Sequence, residues 1–83
     1  MATVIFFGNL GDHVSPTTQS LNIGAEKRSA LDIFEQFAES NPGLSKAKSS
    51  QTINVALNQK ISDWNALVSE DDELAYLPPV TGG

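Results

Sequence analysis

Only one stretch of this sequence, Ser29 to Ser40, repeats its apolar residues at helical spacing, which restricts the chain to folds in which strands cover a single main helix. Ala30, Leu31, Ile33, Phe34, Phe37 and Ala38 form the stripe, while Asp32, Glu35, Gln36 and Glu39 point elsewhere. Ser29 followed three residues later by Asp32 predicts an N-cap at Ser29, a capping box with Asp in place of Glu, and Asn41-Pro42-Gly43 predicts the stop. Ser45 to Ser50, rich in lysine and serine, reads as an exposed connection.

The other apolar residues follow strand spacing. Thr3 to Asn9 contains the continuous run Val4-Ile5-Phe6-Phe7, a strand apolar on both faces, ended by Gly8 and Gly11. Thr18 to Ile23 alternates, with Leu21 and Ile23 on one face and Gly24 closing it. The loop His13-Val14-Ser15-Pro16 between the two predicts an antiparallel hairpin. Ile53, Val55 and Leu57 alternate with Asn54, Ala56 and Asn58, the clearest period of two in the chain. Asn58-Gln59 predicts a turn into a short strand, Lys60 to Ser62. The acidic run Glu70-Asp71-Asp72-Glu73 predicts a tight turn before a last strand, Leu74 to Leu77, which Pro78-Pro79 ends. Leu74 and Tyr76 then face one side, and Ala75 and Leu77 the other. Trp64, Leu67 and Val68 are expected to be buried.

The order strand, strand, helix, strand, short strand, strand predicts an α+β fold: a mixed sheet of about five strands packed on one main helix. The β-grasp arrangement is one candidate among a few such topologies. With 83 residues the chain makes one domain, and a domain of this size buries only about 60% of its unfolded surface. That leaves little material to wall a deep substrate pocket and argues against an autonomous enzyme. The absence of cysteine removes disulfides, thiolate metal sites and a thiol nucleophile, and the lone histidine, His13, supplies neither a His-rich metal cluster nor a catalytic triad. Ten acidic against five basic residues, a net charge of −5, disfavour nucleic acid and anionic membrane and favour a basic protein partner. Val4 to Phe7 is too short to span a bilayer and has no preceding Lys or Arg, so a cytoplasmic location is expected.

The chain closes with Leu77-Pro78-Pro79-Val80-Thr81-Gly82-Gly83. Two glycines without side chains make a thin tip that fits a narrow channel, and the prolines stiffen its base. Pro79 to Gly83 reach about 17 Å when extended. The reactive group at the tip is the α-carboxylate of Gly83, a poor electrophile that reacts only once activated, for instance as an acyl adenylate made at a partner's ATP site. Two terminal glycines taken alone read more readily as a frayed terminus or linker scar.

The ending D-E-x-A-x-x-P-P-V-T-G-G, with V-I-F-F at Val4 to Phe7, Asn41-Pro42-Gly43-Leu44 and V-A-L-N-Q at Val55 to Gln59, resembles the MoaD/ThiS family of ubiquitin-like sulfur carriers. Within it, the likeness is greatest to the small subunits of molybdopterin synthase. Two departures stand out: Gly11-Asp12 replaces a common Arg-Glu pair, and Asp71 replaces a Gly in the last turn, where Asp tolerates left-handed backbone.

The resemblance implies a β-grasp domain over residues 1–79 and a flexible tail over 80–83. Gly83 would be adenylated by an E1-like enzyme using ATP and then thiocarboxylated. Its sulfur would pass to cyclic pyranopterin monophosphate held by a large catalytic subunit, two transfers building the molybdopterin dithiolene. Pro79, Val80, Thr81 and Gly82 would insert into the partner. Phe7, Ile61 and Leu77, on the outer sheet face if Val4, Phe6, Leu74 and Tyr76 face inward, would form the partner-binding patch. The chain itself would bind no cofactor and no metal. Carriers for thiamine or tRNA thiolation share Gly-Gly but generally lack Pro-Pro-Val-Thr, and a ubiquitin-like module that is never activated is the alternative of another class. His13 reads as a loop residue, Trp64 as packing near a sheet edge, and Lys46, Lys48 and Lys60 as surface lysines. Glu70 to Glu73 read as a solvated turn with at most a weak role in meeting a basic partner.

Overall fold

A computed structural model describes residues 1–79. Val80, Thr81, Gly82 and Gly83, and with them the expected boundary between domain and tail, lie outside the described residues.

The strands are β1 (Ala2–Phe6), β2 (Thr18–Leu21), β3 (Arg28–Ser29), β4 (Asn54–Leu57), β5 (Lys60–Ser62), β6 (Leu67–Val68) and β7 (Glu73–Leu77). The helices are α1 (Ala30–Ser40) and α2 (Pro42–Ser50), and a 3-10 helix covers Gly8–His13. Five strands form one mixed sheet in the order β2-β1-β7-β4-β5, and β3 pairs with β6 in a separate two-stranded ribbon. This is the β-grasp fold. At its centre the two ends of the chain run parallel, Thr3 opposite Glu73 and Phe6 opposite Tyr76, and the Phe7 amide extends the ladder to the Tyr76 carbonyl at 3.0 Å. The other three contacts of the sheet are antiparallel.

The inner face packs on α1 through an aromatic cluster. Phe6 stacks on Tyr76 at 5.2 Å, and Phe34 of α1 meets the Tyr76 ring edge to face at 5.0 Å. Trp64 stacks on the same ring at 5.8 Å and meets Phe34 at 5.2 Å. Each such pair is worth about 0.5–1.5 kcal/mol beyond its burial. The Tyr76 hydroxyl donates to the Ala30 carbonyl at 2.7 Å, tying the last strand to the start of the helix. Burial pushes its ionisation far above the ordinary phenol range, so this donor is a neutral hydroxyl. The helix begins as its sequence predicts, with the Ser29 hydroxyl accepting from the Asp32 amide at 3.0 Å. The Asn58-Gln59 turn also forms, both residues with positive φ (52° and 68°), the geometry of a tight two-residue hairpin.

Several expectations are corrected. The first strand stops at Phe6, short of Asn9, because Gly8 takes φ +58° and turns the chain into a helical segment that buries Leu10. The connection to β2 is therefore longer than a hairpin loop, and β2 itself ends at Leu21. Residues 45–50 belong to α2 and are not an open connection: Pro42 starts the helix, where its missing N–H costs nothing, and Leu44 is buried. Leu67 is 56% exposed, since alternation in a two-residue strand turns only Val68 inward. Lys48 is more than a surface lysine, its ammonium lying over the half-buried Trp64 ring at 5.2 Å.

Candidate functional site

Alternation along the strands sends Val4, Phe6, Val55, Leu74 and Tyr76 toward α1, and it sends their neighbours to the opposite face of the sheet. There Ile5, Phe7, Ala56, Ile61, Ala75 and Leu77 line a cleft of about 370 Å³. Phe7 is 45% exposed and Ile61 76%, while Leu77 is half-buried. The three residues singled out from the sequence thus come together, from β1's end, β5 and β7. The floor was harder to foresee. Ala56 sits directly opposite Ala75, and two methyl groups in register leave a trough between longer side chains. The signal for it was the pairing of two alanines at outward positions, invisible until the register is known. Gln59 and Glu73 border the trough.

The root of the tail adjoins this cleft. Directly after Leu77, Pro78 packs on Gly8, where a Cβ would lie 2.7 Å from Pro78 Cγ. Gly8 is also held at φ +58°, so both its backbone and its lack of a side chain are required for Pro78 to sit there. Pro79 is half-buried. The predicted tail residues Val80, Thr81, Gly82 and Gly83 fall outside the described residues.

The acidic run departs from a solvated strip of charge. The Glu70 carboxylate accepts from the Ile23 amide at 2.9 Å, and Asp71, at φ +72°, accepts from the Met1 ammonium at 3.0 Å. Asp72 accepts from the Ser69 amide at 2.8 Å and from the Asn58 side chain at 3.1 Å, bonds that lower its pKa, the Ser69 amide contributing most. Consecutive carboxylates look alike in sequence, so nothing local marked these three as ties between the last turn and the rest of the fold. Asp72→Ala is expected to cost about 1–2 kcal/mol in urea unfolding at neutral pH. Because the folded pKa is depressed, the contribution is fully present above the unfolded value of about 3.9 and is lost as pH falls through the folded one. Wild-type and variant stabilities should therefore converge in acid, and a gap that persists there would mean the loss has another origin.

His13 packs its ring against Gly43 at the start of α2, where no side chain would fit beside it, and so joins the 3-10 helix to α2. This is a packing role. Among the described residues, no helix is long and apolar enough to cross a membrane.

A sequence model of the ThiS family matches residues 4–83. None of the curated protein sequences matches the chain. Solved structures of the same shape include SAMP1 from Haloferax volcanii, 23% identical, with a TM-score of 0.75 over 99% of this chain and 98% of that one. A second is in the BexX/CysO complex from Amycolatopsis orientalis, 22% identical, with a TM-score of 0.73 over 100% of both chains. A third is in the complex of subunits 1 and 2 of molybdopterin-converting factor from Helicobacter pylori, 23% identical, with a TM-score of 0.64 over 99% of this chain and 97% of that one. At these identities the likeness establishes the fold.

Proposed function

Because the chain belongs to the ThiS family of ubiquitin-like sulfur carriers, we propose that it is the sulfur-carrying small subunit of a cytoplasmic molybdopterin synthase. The observation that carries the reading is the ending Pro78-Pro79-Val80-Thr81-Gly82-Gly83, which continues without a break from a strand whose outer side chains line an exposed apolar cleft. A handle and a thin reactive tip are thereby joined.

The roles follow from the chemistry of the tip. An E1-like partner grips the cleft and places the Gly83 carboxylate at its ATP site. A carboxylate oxygen attacks the α-phosphate, pyrophosphate leaves, and the resulting acyl adenylate is open to a sulfur nucleophile that displaces AMP. The thiocarboxylate then enters the large catalytic subunit along Pro79, Val80, Thr81 and Gly82, and its sulfur goes to cyclic pyranopterin monophosphate. The catalytic side chains belong to the partners, and this chain supplies the sulfur and its position. Support for a partnered state comes from the Helicobacter pylori and Amycolatopsis orientalis relatives, both of which are in complexes. The Pro-Pro-Val-Thr segment favours molybdopterin synthase over carriers for thiamine or tRNA thiolation.

The test is reconstitution. The chain is loaded by an adenylating enzyme and a sulfur donor, then mixed with a large molybdopterin synthase subunit and the pterin precursor. Dithiolene formation is expected, and its absence with fully thiocarboxylated protein would reject this role while leaving a sulfur carrier for another acceptor. Phe7→Asp should weaken both complexes by about a hundredfold with little change in melting temperature, since Phe7 is 45% exposed and lies outside the buried core. A collapse of the melting temperature would instead assign Phe7 to the core.

A further inference from the structure

We propose that the protein surface seated in the outer cleft presents a cation, an arginine or lysine, to the carboxylate of Glu73 beside the apolar group that fills the trough. The inference rests on the docking role proposed above for the cleft and adds the chemistry of the surface that docks.

Glu73 is the charged residue among those lining the cleft. Of the four acids in the turn, Glu70, Asp71 and Asp72 spend their carboxylates on the protein's own amides, on Asn58 and on the Met1 ammonium. Among the described residues, no donor reaches the carboxylate of Glu73. Its backbone is nonetheless firmly placed: its amide donates to Asn58 Oδ1 at 2.9 Å, its carbonyl accepts from the Asn58 amide at 2.7 Å, and it pairs with Thr3. The next residue, Leu74, is fully buried on the inner face, so alternation puts the Glu73 side chain on the outer one.

An unpartnered carboxylate on a firmly placed backbone, at the border of an apolar trough, discriminates between surfaces. One that fills the trough and carries a guanidinium or ammonium at this border gains a sheltered ion pair, whereas an apolar or acidic one strips water from the carboxylate without replacing it. The chain's net charge of −5 steers the same class of partner toward it. Selection of the partner thus resides in Glu73, and contact area in Phe7, Ile61 and Leu77.

The test measures binding of the full chain to the purified adenylating enzyme and to the large synthase subunit by calorimetry, at about 50 and 300 mM NaCl. Glu73→Gln keeps the backbone ladder and should melt as wild type does. It is expected to bind about tenfold more weakly at low salt, with most of the salt dependence gone. Glu73→Lys should be weaker still, while Glu39→Gln, on the exposed side of α1, should change neither quantity. Wild-type affinity and salt dependence in Glu73→Gln, against both proteins, overturns the inference. If Phe7→Asp then still weakens binding, the docking role of the cleft survives without the ion pair; if Phe7→Asp also binds as wild type does, the docking role falls with it.

Discussion

A chain lacking Gly83 is expected to fold, to melt with the full-length protein and to bind the adenylating enzyme, yet to support no sulfur transfer. The last strand ends at Leu77 and the aromatic cluster at Tyr76, so removing the final residue should leave stability unchanged. The new carboxylate, on Gly82, is drawn back by about 3.3–3.6 Å, the reach of one extended residue. Reacting atoms must approach to about 3–3.5 Å, and a misplacement of about 1 Å can already cost a factor of a hundred. One residue is therefore enough to take the acyl group out of range. Gly82→Trp should fail for a different reason, because on the proposed mechanism its ring would not follow a thin glycine tip into the partner's channel. Intact mass after co-expression with an adenylating enzyme and sulfur donor reads both results. The full chain should show the increment of an oxygen-to-sulfur exchange, and the variants none. Loading of the shortened chain at the full-length rate, with normal pterin conversion, would refute the carrier mechanism.

Phe34→Ala should have the largest effect on stability. The ring is buried among Phe6, Tyr76 and Trp64, and replacing it leaves a cavity at the junction of α1 with β1 and β7. Substitutions of this kind cost about 3–5 kcal/mol. Domains of this length have a total stability of only about 4–12 kcal/mol, so the loss is a large part of the whole. In calorimetry the melting temperature should fall by roughly 20 °C. A loss below about 1 kcal/mol would show that the cluster relaxes around the gap and is not a rigid centre of the fold.

Much of the architecture was legible because its signals are local. The Ser29 cap, the apolar stripe from Ala30 to Ala38 and the Asn58-Gln59 turn each depend on residues a few positions apart, and all three form as expected. Asp71 takes the left-handed backbone that its residue type is expected to tolerate. The second helix is poorly legible: Pro42 both stops α1 and begins α2, and Leu44 with Ala47 gives only a narrow apolar edge among lysines and serines. Gly8 marks the end of the first strand, but neither its positive φ nor its contact with Pro78 has a mark in the sequence. In the candidate site, Phe7, Ile61 and Leu77 followed from alternation, but the alanine floor and Glu73 did not.

The sequence by itself determined the main helix, the five strands of the large sheet, the inward face of the longer strands and the absence of any thiol. These properties depend on neighbours along the chain, where spacing of two or of three to four residues decides what is buried. Tertiary structure alone decided that β1 and β7, with Thr3 and Glu73 about seventy residues apart, lie parallel at the centre of the sheet. That pairing exists because both strands must bury their inner residues against the same helix. It also brings Phe7 beside Leu77, while the pairing of β7 with β4 sets Ala56 opposite Ala75 and one of four similar acids faces the cleft.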